Sequence, residues 1–179
     1  MVLPRSLSQK KKLGEKLGLP KIICNTSPLQ YLHQLNQLQI MQSLAGRIII
    51  PPAVVAEIAA GIAWGIDLPD LQKLDWVDIQ PPLSRIAVPL VTHLGPGETE
   101  VIMLALELSD ATVILDDALA RKTAEFLGIR MTGTLGLLID AKRAELIDKL
   151  TPFIDQLQAL NFRLAPHTRN AVLRLAGEL

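Results

Sequence analysis

Cysteine is nearly absent from this 179-residue chain. The single Cys24 excludes an internal disulfide and, in the apolar run Ile22-Ile23-Cys24, reads as a small buried hydrophobe in a reducing compartment. Net charge is also missing, with 18 basic residues against 18 acidic ones, so a nucleic-acid role must rest on local patches rather than on composition. Aromatic residues are scarce: two Trp, one Tyr and three Phe offer little for stacking bases, and base-specific recognition is not implied. No apolar run reaches the roughly 18 residues of a membrane span. Charges interspersed through the first 20 residues leave no signal-peptide core, so a soluble cytoplasmic protein without membrane association is expected. His33, His93 and His167 have no paired ligand spacing, which with one Cys argues against zinc. No Gly-x-x-x-x-Gly-Lys phosphate loop is present, and the first strand ends without the acid that an aspartyl-phosphate enzyme needs.

What is present is a hydrophobic content of 49%, enough to bury the core of one domain. Residues 1–20, with Lys10, Lys11, Lys12 and Lys16 and interspersed Pro and Gly, read as a basic N-terminal arm. A main domain is expected over 21–147. Its first strand, 21–25, runs into Thr26-Ser27-Pro28, where a hydroxyl cap and a proline open a helix. A second strand over 47–50 follows Gly46, and Pro51-Pro52 opens a helix on which Val54, Val55, Ile58 and Ile62 form one arc. Residues 64–94 read as a variable connection with one strand at 75–79. A buried helix starts near Gly97, a strand spans 112–115, a helix 118–127, a short strand 129–132 and a helix 134–145. Alternating strands and helices indicate an α/β fold with a mostly parallel sheet, whose ligands gather beyond the carboxyl ends of the strands. Two C-terminal helices within 148–179 are expected to pack on the domain or on a partner in a homodimer.

Acids mark the margins of these apolar segments: Glu57, Glu98 with Glu100, and Asp116 with Asp117. Each has an ordinary explanation, since acids favour helix starts and caps. Glu57 lies about 60° from the edge of its apolar arc at about 100° per residue, so it borders the core. Carboxylates gathered from distant segments repel and lose hydration, and such a cluster persists with a cation or proton between its members.

The ordered series is more specific than any one acid. Ile23-Cys24-Asn25-Thr26-Ser27-Pro28-Leu29, Pro51-Pro52-Ala53-Val54-Val55-Ala56-Glu57-Ile58, Gly97-Glu98-Thr99-Glu100, Ile114-Leu115-Asp116-Asp117 with Ala120-Arg121, and Gly128-Ile129 with Thr132-Gly133-Thr134-Leu135-Gly136 resembles the PIN-domain family. It looks closest to the toxin nucleases of VapBC-type toxin–antitoxin pairs. The resemblance implies a Rossmann-like α/β/α sandwich and endonucleolytic cleavage of RNA with Mg²⁺ or Mn²⁺. It implies metal positions at Asn25, Glu57, Glu98 or Glu100, and Asp116, with Asp117 accessory and Ser27 supporting the first position. Glu57, Glu98 and Asp116 would be the catalytic carboxylates. The family commonly has aspartate where this chain has Asn25, so one negative charge is withdrawn; a PIN-like RNA- or protein-binding module with weakened catalysis is the alternative reading. Arg121, Lys122 and Arg130, near the acids in chain order, are the candidate RNA-binding cations. An antitoxin protein is the partner the resemblance implies.

Overall fold

The structure, a computed structural model, describes residues 21–84, 91 and 93–179. The basic arm at 1–20 and Pro89 lie outside the described residues. Among the described residues five short strands form one sheet: β1 (Lys21–Cys24), β2 (Ile48–Ile50), β3 (Val77–Ile79), β4 (Ala111–Ile114) and β5 (Arg130–Thr132). Their order is β3-β2-β1-β4-β5, and every pairing is parallel, so the mostly parallel sheet expected from sequence is wholly parallel. Apolar residues fill the central strands: Ile23, Cys24, Val113 and Ile114 are buried, as strands covered on both faces must be.

Among the described residues eight α-helices flank the sheet: α1 (Thr26–Gln34), α2 (Gln39–Ala45), α3 (Pro52–Ala63), α4 (Pro96–Glu107), α5 (Ala118–Phe126), α6 (Thr134–Arg143), α7 (Thr151–Ala159) and α8 (Pro166–Leu175). One packed group joins α1, α2, α6 and α8, and another joins α3, α4 and α5, with α4 against β1 and β4 and with α1 also meeting α3. The result is an α/β/α sandwich. No helix among the described residues is long and apolar enough to cross a membrane.

Local details depart from the sequence reading at helix starts. Asn25, not a hydroxyl residue, is the N-cap of α1, and its side chain makes no capping bond. At α7, where Thr151-Pro152 in the sequence reads as a cap, the N-cap is Leu150 and the Thr151 hydroxyl donates to Glu178 Oε2 at 2.5 Å. On α3 the buried positions are Val54, Ile58 and Gly61, while Ile62 is 48% exposed.

The chain leaves β1 for β2 and β3 on one side of the sheet, then crosses to β4 and β5 on the other. Between β1 and β4 the direction of strand addition reverses, and beyond their carboxyl ends lies the crevice where α/β sheets hold ligands. Asn25 follows β1 and Asp116 follows β4. The Asn25 N–H donates to the Ile114 carbonyl at 3.2 Å, tying the two strand ends together.

Candidate active site

Two polar residues are buried among the described ones, Asn25 and Thr134, and both lie at this crevice. Asn25, 1% exposed, donates its Nδ2–H to Glu98 Oε1 at 2.9 Å. That bond fixes the amide orientation, because the reverse would set carbonyl oxygen against carboxylate oxygen. Asn25 Oδ1 is left buried with no hydrogen-bond partner. A buried acceptor without a donor costs about 1–3 kcal/mol, so the atom calls for a donor or a cation.

Glu57 meets it from α3. Its Oε1 accepts the Gly97 N–H at 2.8 Å, and its Oε2 accepts the Thr26 hydroxyl. Gly97 makes room for this meeting: a Cβ there would stand 2.6 Å from Glu57 Oε2 and 2.7 Å from Asn25 Oδ1. The two residues' oxygens therefore converge on one point beside the first turn of α4. Glu98 and Glu100, two residues apart on α4, diverge by about 200°. Glu98 faces Asn25, whereas Glu100 Oε2 turns to α3 and accepts the Ala53 N–H at 2.8 Å, closing that helix's start.

Asp116 is fixed from the opposite side. Its Oδ1 accepts the Thr134 N–H at 2.8 Å and its Oδ2 the Thr134 hydroxyl at 2.6 Å. Gly133 permits this approach, since a Cβ there would lie 2.8 Å from Asp116 Oδ1. Burial raises the Asp116 carboxyl above the usual aspartate range, opposed by both Thr134 bonds and by Arg121. The same charge, after burial itself, holds the Cys24 thiol well above its ordinary value.

The remaining expected residues have other placements. Asp117 is exposed and caps α5, its Oδ1 accepting from Leu119 N at 2.9 Å and Ala120 N at 2.8 Å. Ser27 is half-buried and makes no bond to the Asn25 side chain. Arg121 Nη1 donates inward to the Leu115 carbonyl at 2.8 Å and the Thr132 carbonyl at 3.1 Å, bracing the ends of β4 and β5. Lys122 is exposed. Arg130 does not join the acids: it opens β5, opposite Thr112, and bonds the Asp110 carbonyl at 2.7 Å at the amino end of the sheet. Its nearness to Asp116 existed in chain order alone. Thr26, Gly97 and Thr134 are the residues to which sequence reasoning gave no role in holding the acids. A threonine or glycine flanking an acid was the available signal, and it is common at helix starts.

Among the described residues no three of His, Cys, Asp and Glu gather closely enough to hold a metal. Two carboxylates, Glu57 and Glu98, do meet around the amide of Asn25. The donors of this set are all oxygen, which suits a hard cation, and the unpartnered Oδ1 is a ligand atom in waiting. The residues present thus fit a divalent cation of that kind, held with one neutral ligand. A search of curated proteins returned no match. A family model described as a PIN domain matches residues 21–178, from β1 to beyond α8. The chain belongs to the PIN-domain family, whose members are generally nucleases that use a divalent metal.

Proposed function

We propose that this protein is a metal-dependent endoribonuclease of the VapC-like branch, the toxin of a cytoplasmic toxin–antitoxin pair. One observation carries the reading: a buried, unpartnered amide oxygen converging with a carboxylate at the strand-switch crevice. Asn25, Glu57 and Glu98 would hold Mg²⁺ or Mn²⁺, which supplies Lewis-acid polarisation of the phosphodiester and offsets the charge developing on it. Asp116, fixed through both oxygens by Thr134, retains lone pairs to orient a water and accept its proton. Its raised pKa makes it a stronger base than an ordinary aspartate. Thr26 and Gly97 hold the Glu57 carboxylate in one pose.

Cleavage of mixed single-stranded RNAs with Mg²⁺ or Mn²⁺ tests this, beside chelator, Asp116→Asn and Glu57→Gln. Cleavage indifferent to chelator and to Asp116 sinks the proposal. The second reading, a PIN-like RNA- or protein-binding module with weakened catalysis, draws on the Asn25–Glu98 bond, which occupies one carboxylate in place of a fourth acid. Inactive protein rescued by Asn25→Asp would favour it.

A homodimer belongs to the same proposal. Opposite its buried face, α3 exposes Ala56, Ala59, Ala60 and Ala63, with Trp64 83% exposed at its end. In an antiparallel pair about Ala60, Trp64 of each copy would face Ala56 of the other. The antitoxin remains a proposed partner, and an adjacent reading frame encoding a small DNA-binding protein would support it.

A further inference from the structure

Of the three cations expected to meet the substrate's phosphates, Arg121 is turned inward and Arg130 stands at the wrong end of the sheet, which leaves Lys122 alone exposed. The C-terminal helices supply another. α6 starts at Thr134 beside Asp116 and runs away from the crevice to Lys142. There Glu178 joins Lys142 to Thr151, the first residue of α7, so α7 begins at the far end. Its nine residues span about 13 Å against about 15 Å for the ten of α6, long enough to carry the α7–α8 turn back toward the acids.

Contacts agree with this path. Phe162, in that turn, meets Tyr31 edge to face with ring centroids 5.0 Å apart and planes at 78°. Tyr31 belongs to α1, whose N-cap is Asn25. Helical side chains lean toward the N-terminus, so the Tyr31 ring tilts toward the crevice. Burial and then the negative charge of Asp116 raise the Tyr31 hydroxyl above its ordinary value, and Arg163 pulls it back. One phenol thus lies within the fields of both Asp116 and Arg163. Arg163 is exposed and makes no hydrogen bond or ion pair among the described residues, unlike Arg169 of α8, which is held by Asp155 and Gln158.

We propose that Arg163, carried to the rim of the site by the α7–α8 turn and braced through Phe162 on Tyr31, binds a backbone phosphate of the single-stranded substrate. A guanidinium suits this task because its fork matches two phosphate oxygens, and its charge offsets the repulsion between the acids and the strand. Arg163 binds and positions; the bond-breaking groups are those of the crevice. The inference rests on the nuclease reading and adds a phosphate contact to it.

The full chain carrying Asp116→Asn, with Mg²⁺, would be titrated against a labelled single-stranded RNA of mixed sequence by fluorescence anisotropy at 50 and 200 mM salt. One phosphate contact to a single strand contributes about 0.7 to the salt slope, so Arg163→Ala should lose about 2.6-fold less affinity than its parent across this fourfold change. Arg163→Lys should restore the slope but not the full affinity. Arg174→Ala, which removes an equal charge from the last turn of α8, should change neither. Binding in which Arg163→Ala matches Arg174→Ala overturns this inference alone. No RNA binding, together with no cleavage by the unmodified chain, overturns the nuclease reading and this inference with it.

Discussion

The Asn25 side chain gives its amide proton to Glu98 and receives nothing in return: Nδ2 to Oε1 is 2.9 Å, and Oδ1 is buried without a partner. The amide holds Glu98 in place without adding charge, and it stores an unsatisfied acceptor beside Glu57. Both effects are specific to an amide at this position.

Asn25→Asp should therefore act with opposite signs on two states. Without cation it removes the bond to Glu98 and sets a further carboxylate beside Glu57 and Glu98, lowering stability by about 1–3 kcal/mol. With Mn²⁺ it should bind the ion more tightly, on the order of tenfold, by restoring one charge. Thermal unfolding in chelator and in Mn²⁺, with calorimetric titration of the ion, checks both. A uniform shift in the two conditions would refute it.

Gly97→Ala offers a contest between helix propensity and space. Alanine gains about 1 kcal/mol over glycine inside a helix. Here its methyl would press on Glu57 and Asn25, at 2.6 Å and 2.7 Å. Both neighbours are site atoms already anchored elsewhere, so the clash should prevail: lower stability, and loss of most cation-induced stabilisation. Denaturant unfolding with and without Mn²⁺ measures both.

Asp116→Asn should abolish cleavage and yet raise the melting temperature of the cation-free protein at neutral pH. Asp116 has a raised pKa in the fold, so its contribution to stability is fully present below its unfolded value and is lost as pH rises through the folded one. The advantage of the amide should accordingly fade as the pH falls toward the ordinary aspartate range. Thr134→Val, which removes a bond to Asp116 and preserves shape, should cost about 10–100-fold in activity or cation affinity.

Glu178 predicts the opposite pH behaviour. Burial raises its carboxyl, but Lys142, the Thr151 hydroxyl and the N–H groups of Leu150 and Thr151 together bring it down to about 2. The depressed pKa means stability present above the usual glutamate value of 4.5 and lost as pH falls through about 2. Glu178→Gln should unfold more easily at pH 7 and lose less stability than the parent between about pH 5 and pH 2, as followed by circular dichroism. Equal acid sensitivity in the two proteins would assign no role to this carboxylate.

The strands, helices and acids were legible because parallel βα units repeat a simple pattern: an apolar run, a polar residue at its carboxyl end, then a helix start. Asn25, Glu57 and Asp116 sit at or near such boundaries. Glu98 and Glu100 were not separable, since both occupy the start of α4 and only the position of α3 decides which one it takes. Arg130 misled because a strand carries its first and last residues to opposite ends of the sheet. Arg163 was invisible, lying outside the ordered motifs, in the α7–α8 turn whose neighbour Phe162 meets Tyr31. Thr134 gave no sign because its hydroxyl finds Asp116 across 18 residues of chain.

The strand switch between β1 and β4 also bears on synthesis. Asn25 and Glu57 are made early, whereas Asp116 is made late and needs Thr134 to hold it. A nascent chain that ends before α6 lacks Thr134 and with it the Asp116 anchor, so an interrupted translation product carries an incomplete crevice. The cell meets the finished site only after most of the chain has left the ribosome.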